Sequence, residues 1–172
     1  MKNTIKLFVL CLLLSVASAS AAAVSYGAFV AGYNADAVKS KDTTQSRLWP
    51  SVKRFGTGSD QSVEARFPKV LTSVMLQLEN GNVVGVHILG KTKNHAGLMR
   101  IVNHAIAGYI PDFTAKEKAE AIKRAKLYDK TLIKEAQGGV NGFNQVIEYN
   151  GYSFMTGTGA EYGDIGISFW KK

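Results

Sequence analysis

The chain has 172 residues, a formal net charge of +8 and one cysteine, Cys11. A lone cysteine cannot form an intramolecular disulfide, so the sequence excludes the disulfide-stapled scaffolds common among small secreted proteins. The positive charge favours attraction to anionic surfaces, with specific nucleic-acid binding the less favoured alternative.

The first 23 residues are laid out as a secretory signal peptide. A short positive head at residues 1–6 precedes an apolar run at 7–14, and small residues fill 15–23. The apolar run is too short to cross a bilayer, and small-x-small sites permit cleavage after Ala19, Ala21 or Ala23. We therefore predict an exported protein, periplasmic or extracellular, whose only thiol leaves with the signal peptide. About 150 residues then remain, enough for one self-supporting domain.

Residues 24–69 are predicted to form a Gly/Ala-rich and basic N-terminal arm that packs on the rest of the domain. Partial alternation of apolar residues over 24–38 predicts an edge strand. Residues 39–68 contain proline, glycine and serine and are predicted to be long and mostly irregular. Seven basic residues lie between Lys39 and Lys69 against three acidic ones. Lys53 and Arg54 in this arm are expected to assist anion binding.

Residues 70–89 predict a β-hairpin. Two β-rich runs flank Asn80-Gly81, a pair that tolerates the positive φ of a two-residue type I′ turn. With this pair as the loop, the predicted cross-strand partners are Glu79 with Asn82, Leu76 with Gly85, and Val74 with His87. One face is then predicted to carry Val74, Leu76, Leu78, Val83, His87 and Leu89.

Residues 85–92 spell GVHILGKT, which matches the G-x-x-x-x-G-K-T pattern of nucleotide-binding phosphate loops. In such loops the chain leaves its strand at the first glycine, so that the following N–H groups can surround the phosphates. Here residues 86–89 are strand formers on the returning arm of a hairpin. We also find no apolar strand that ends in Asp and could hold magnesium. We therefore predict no nucleotide, no metal and no other cofactor.

The apolar period changes to that of a helix over residues 98–109, and Pro111 ends that helix. Thr114 and Glu117 form a capping box that starts a second helix, which extends to about Ala136 and ends at Gly138-Gly139.

A second hairpin is predicted around Asn150-Gly151, and alternating Ile165, Ile167 and Phe169 form a last strand. The predicted class is therefore α+β, with an antiparallel sheet of two Asn-Gly hairpins plus a C-terminal strand. Two consecutive helices pack on one face of this sheet within residues 70–172.

A basic cluster marks the junction between the first hairpin and the first predicted helix. Because a helix start carries unpaired N–H groups and a positive dipole end, it favours anions. The predicted anion-binding residues are Lys91, Lys93, Asn94, His95 and Arg100. The alternative is that Asn94 only caps the helix and the lysines are solvated.

Two residues have unusual positions for their chemistry. His87 is predicted on the apolar face of the first hairpin, and Asp129 falls in the apolar stripe of the second helix. Asp129 is explained if the helix breaks there and Asp129 caps a further short helix. If the two side chains met, they would form an acid/base dyad. His95 is predicted near the edge of the apolar face of its helix, and His104 on the polar side.

These features predict a small exported protein that binds an anionic cell-envelope surface or another protein without catalysing a reaction. One alternative is a hydrolase-type enzyme that uses His87 or His95 with an acidic partner. The other is an envelope assembly subunit that exposes the aromatic hairpin of Tyr149, Tyr152 and Phe154.

Overall fold

The computed structural model describes residues 23–42, 48–124, 130–139, 142–158 and 163–172. The strands are β1 (Val24–Ser25), β2 (Val52–Phe55), β3 (Asp60–Phe67), β4 (Thr72–Glu79), β5 (Asn82–Lys91), β6 (Gly142–Tyr149), β7 (Tyr152–Thr158) and β8 (Asp164–Lys171). The helices are α1 (Tyr26–Lys39), α2 (His95–Tyr109), α3 (Ala115–Arg124) and α4 (Lys130–Gln137). None of the helices in these ranges is long and apolar enough to cross a membrane.

The strands form one antiparallel sheet in the order β2-β3-β4-β5-β8-β7-β6, and β1 pairs with the start of β5. Helices α1 and α2 pack together on one face of this sheet, and the core lies between them and the strands. The predicted α+β class, with consecutive helices on an antiparallel sheet, is confirmed. Residues 1–22, which include Cys11 and all but the last residue of the predicted signal peptide, lie outside the described residues.

The predicted edge strand at residues 24–38 is wrong beyond Val24–Ser25, which form the two-residue strand β1, because residues 26–39 form helix α1. Its first turn is capped by Ser25, whose Oγ accepts a hydrogen bond from the backbone N–H of Ala28 at 3.2 Å. The buried residues are Phe29, Tyr33 and Ala37. A spacing of four places residues on one side of either a strand or a helix, which is why the pattern was ambiguous.

The prediction that residues 39–68 are mostly irregular is also wrong for most of the described residues in this range. β2 and β3 occupy residues 52–55 and 60–67, and β3 pairs along its whole length with β4. Within β3 the side chains of Val63, Ala65 and Phe67 alternate into the core. This alternation is present in the sequence, but polar residues on the other face conceal it.

The first hairpin forms at Asn80-Gly81, whose φ angles of 51° and 79° fit the predicted turn, and Glu79 pairs with Asn82. Beyond the turn, a β-bulge at Val84 shifts the register, so that Leu78 pairs with Val83 but Gln77 pairs with Gly85. The predicted pairs of Leu76 with Gly85 and Val74 with His87 are therefore wrong. The observed pairs are Leu76 with Val86 and Val74 with Ile88. A slip of one residue transfers side chains to the opposite face of a strand.

The remaining local predictions are close to the structure. The capping box forms, with Glu117 N–H donating to Thr114 Oγ1 at 3.2 Å and Thr114 N–H donating to Glu117 Oε2 at 2.9 Å. The second helix is described as α3 and α4, with residues 125–129, and hence Asp129, outside the described residues. The Asn150-Gly151 turn pairs Tyr149 with Tyr152, and the predicted last strand is β8.

Candidate interaction surface

The described helices pack on the face of the sheet that carries Val74 and Ile88, and we call the opposite face the open face. Register defines it, because residues directly opposite one another on antiparallel neighbours point to the same side. One continuous row across the open face runs through Lys53, Glu64, Met75, His87, Ser168, Met155 and Val146. A second row runs through Phe55, Ser62, Gln77, Gly85, Trp170, Ser153 and Glu148, and a third through Arg66, Ser73, Leu89, Gly166 and Gly157.

Large apolar side chains on the open face remain in contact with solvent. Met75 and Leu89 are each 44% exposed, and Phe55 and Val146 are each 48% exposed. Single exposed apolar residues are normal on a protein surface. Met75 and Leu89 lie on the neighbouring strands β4 and β5, and exposed apolar side chains that lie together are characteristic of surfaces that bind another molecule.

The open face is nearly neutral, although the whole chain carries a formal charge of +8. Its basic side chains are Lys53, Arg66 and Lys91, and its acidic ones are Asp60, Glu64, Glu79, Glu148 and Asp164. Arg66 donates to Glu64 at 2.7 Å, the Lys91 ammonium lies 2.5 Å from Asp164, and Lys172 lies 2.7 Å from Glu148. Among the described residues, the excess positive charge therefore lies on other surfaces.

The predicted anion-binding residues lie near one end of the open face, but carboxylates accompany two of them. Lys91 is paired with Asp164, and Arg100 lies 3.8 Å from Asp42. Asn94 makes no side-chain cap bond to α2, and its Nδ2 donates instead to the carbonyl of Lys69 at 3.4 Å. Asn94 therefore occupies the N-cap position without the side-chain cap that the alternative expected. His95 is partly buried and Lys93 is exposed, and anion binding by this cluster stays a prediction.

A shallow groove of about 420 Å³ lies at this same end of the sheet. Its lining combines the apolar side chains of Leu71 and Leu89 with the charged groups of Arg66, Lys91 and Asp164. Leu71 has a φ of 50°, an uncommon backbone conformation for a residue with a side chain, and is 43% exposed. The open face thus continues into an amphipathic groove at its end.

His87 lies in the middle of the open face and not on the core side, where it was predicted. Its Nδ1 is 2.9 Å from Ser168 Oγ, and its buried Nε2 has no hydrogen-bond partner among the described residues. Burial lowers the pKa of His87 below its usual value, which favours the neutral ring. Asp129, its predicted acidic partner, lies outside the described residues, so the dyad stays a prediction.

The surroundings of Ser168 do not favour nucleophilic catalysis. Ser168 lies within β8, between His87 on β5 and Met155 on β7. In a strand paired on both sides, the backbone N–H groups are used in the sheet and cannot form an oxyanion hole. The residues of the GVHILGKT stretch that lie in β5 are likewise paired with β4 and β8, so their backbone N–H groups are used in the sheet.

Acidification is expected to weaken the fold through His87. Because the pKa of His87 is lowered in the folded state, the unfolded chain binds a proton at a higher pH than the folded chain does. The stability conferred by neutral His87 is complete above pH 6.5, the usual pKa of the group, and declines as the pH falls from there through the folded pKa. Between about pH 7.5 and 5.5, the urea midpoint should therefore fall more in the wild type than in His87→Gln. Equal losses in the two proteins would contradict this assignment.

The structure buries one residue that the sequence placed on a polar surface. His104 was predicted on the polar side of its helix, but it is 2% exposed because α1 covers that side. Its Nδ1 lies 2.9 Å from Asp36 and its Nε2 lies 3.1 Å from Asp42. Lys118 also donates to Asp36, at 2.9 Å. This charged cluster joins α1, α2 and α3 and contributes to the structure rather than to an accessible site.

No protein-family model matches the chain, and no curated protein or solved structure matches it either.

Proposed function

We propose that this chain is an exported, non-catalytic binding protein that recognises another protein through its open face. The observation that carries the proposal is the exposure of Phe55, Met75, Leu89 and Val146 on the side of the sheet that none of the described helices covers. Burial of a large apolar side chain on binding contributes about 1.5–3 kcal/mol. A partner that covered several of them would therefore gain a substantial part of its affinity there.

The arrangement supports binding over the two alternatives. A hydrolase needs donors aimed at a developing oxyanion, whereas the N–H groups beside Ser168 belong to the sheet. Assembly through the aromatic hairpin would need exposed rings. Tyr152 and Phe154 are 9% and 1% exposed, because Tyr109, Phe113 and Phe169 pack against them.

A photo-crosslinker placed at Met75 should capture the partner in cells that produce the full chain. Met75 lies near the middle of the open face and is 44% exposed. The matched control is the same crosslinker at Val38, which is 58% exposed near the end of α1. We expect a discrete adduct at position 75, several-fold more abundant than any adduct at position 38.

Charge substitution on the same face provides the second arm of the test. Leu89→Lys should abolish the adduct formed from position 75, because it places a cation in the apolar contact. Val38→Lys should leave that adduct unchanged. If positions 75 and 38 capture the same proteins to the same extent, the open face is not the recognition surface.

A further inference from the structure

The centre of the open face pairs large side chains with glycines in a reciprocal pattern. Strands β5 and β8 are neighbours in the middle of the sheet. Gly85 on β5 lies directly opposite Trp170 on β8, and Leu89 on β5 lies directly opposite Gly166 on β8. In each of these two rows, one strand therefore presents a bulky side chain and the other presents none. The order reverses between the rows.

This pattern is complementary to itself under a two-fold rotation. An axis parallel to the strands and between β5 and β8 places β5 of one copy over β8 of the other. Trp170 then lies over Gly85 of the partner subunit, and Leu89 lies over Gly166 of the partner subunit. Such an isologous arrangement is the commonest geometry among homo-oligomers. At Gly166 an added Cβ would meet nothing within 4 Å, so the space above this glycine is open. At Gly85 an added Cβ would meet Gln77 Oε1 at 2.9 Å, so the end of the Gln77 side chain must move aside for Trp170 of the partner subunit.

The charges of the open face permit a second copy to approach. Three basic side chains on this face, together with Lys172 beside Glu148, nearly balance five acidic ones, whereas the chain as a whole carries +8. Two copies that met through their basic surfaces would repel each other. Two copies that meet through their open faces bring together almost no net charge.

The area of the face is sufficient for a specific dimer. Seven strands lie side by side in the main path of the sheet. With about 4.8 Å between strands and a length of about five residues per strand, of which two or three face the partner, the face measures on the order of 600 Å² per copy. Two copies would bury about 1,200 Å², at the lower end of the range for specific interfaces.

We infer that the protein recognised by the open face is a second copy of this chain, packed face to face about an axis between β5 and β8. The inference rests on the proposed function, since it names the occupant of the same surface. It goes further by specifying which side chains meet.

The test fills the space above Gly166 and then exchanges the two contacting residues. Sedimentation equilibrium of the purified protein should show a concentration-dependent dimer. Gly166→Leu should raise the dissociation constant at least tenfold, because the new side chain occupies the space taken by Leu89 of the partner subunit. The double variant Leu89→Ala with Gly166→Leu should recover most of the lost affinity, since the bulky and small positions are exchanged.

Control variants and outcomes separate this inference from the proposed function. Val38→Lys should leave the dissociation constant unchanged, and thermal melts monitored by circular dichroism should show that every variant is folded. A wild type that is monomeric up to about 100 μM overturns the inference, as does a dimer that Gly166→Leu does not weaken. If the protein is monomeric but position 75 forms an adduct with a different protein, the dimer inference is wrong and the proposed function is retained. If position 75 forms no adduct, the dimer inference and the proposed function are both wrong.

Discussion

Replacement of His104 by alanine is expected to destabilise the fold by about 3–5 kcal/mol, the range for removal of one member of a buried ionic group. Both ring nitrogens of His104 lie within hydrogen-bond distance of a carboxylate, Asp36 on one side and Asp42 on the other. Without the ring, Asp42 keeps its burial but loses the His104 nitrogen that lies 3.1 Å from its carboxylate.

Urea denaturation of wild type and His104→Ala at neutral pH measures this difference. His95→Ala is the matched control, because His95 lies on the same helix and is only partly buried. We expect it to cost less than about 1 kcal/mol. If His104→Ala costs no more than the control, the cluster contributes no net stability.

The pH dependence of the same variant provides a separate measurement. Burial raises the pKa of Asp36, but hydrogen bonds from His104 and Lys118 outweigh this and hold the pKa below its usual 3.8. The folded chain therefore binds fewer protons than the unfolded chain, and this stability is present above pH 3.8 and lost as the pH falls through the folded pKa. In His104→Ala the acid-induced loss should be smaller. An unchanged loss would show that His104 does not depress the pKa of Asp36.

Features fixed by a few neighbouring residues were predictable from the sequence. The two Asn-Gly turns and the Thr114–Glu117 capping box need only two to four residues, and each forms where it was predicted. The α+β class followed from the same local signals, since two-residue turns require antiparallel strands.

Features fixed by distant parts of the chain were not predictable in this way. The bulge at Val84 adjoins Gly85, and a glycine within a strand can mark a bulge, but the glycine alone does not fix which residue is left unpaired. The bulge reverses the direction of His87 and Leu89 and so creates the open face. His104 is buried because α1 covers it, and α1 was itself mistaken for a strand. The predicted anion site included only residues that are close together in the sequence. Asp164, the carboxylate that pairs with Lys91, is 73 positions further along the chain.

Gly108→Ala is expected to destabilise the fold by about 1–3 kcal/mol, although alanine is normally the better helix former. Helices α1 and α2 approach most closely where Gly32 faces Gly108. An added Cβ at Gly108 would lie 2.5 Å from the carbonyl oxygen of Phe29 and 3.1 Å from the backbone nitrogen of Tyr33. Because both obstructing atoms belong to the backbone, α1 must move as a whole.

Gly27→Ala is the matched control, since Gly27 is also helical but an added Cβ there meets nothing within 4 Å. It should stabilise the fold by up to about 1 kcal/mol, so the two identical substitutions should have opposite signs. Denaturant midpoints measure both, and a stabilising Gly108→Ala would contradict the close packing of α1 on α2. Gly108 lies one helical turn beyond His104, so displacement of α1 should also lengthen the bond between His104 and Asp36. The double variant should therefore lose less stability than the sum of the losses measured for Gly108→Ala and His104→Ala alone.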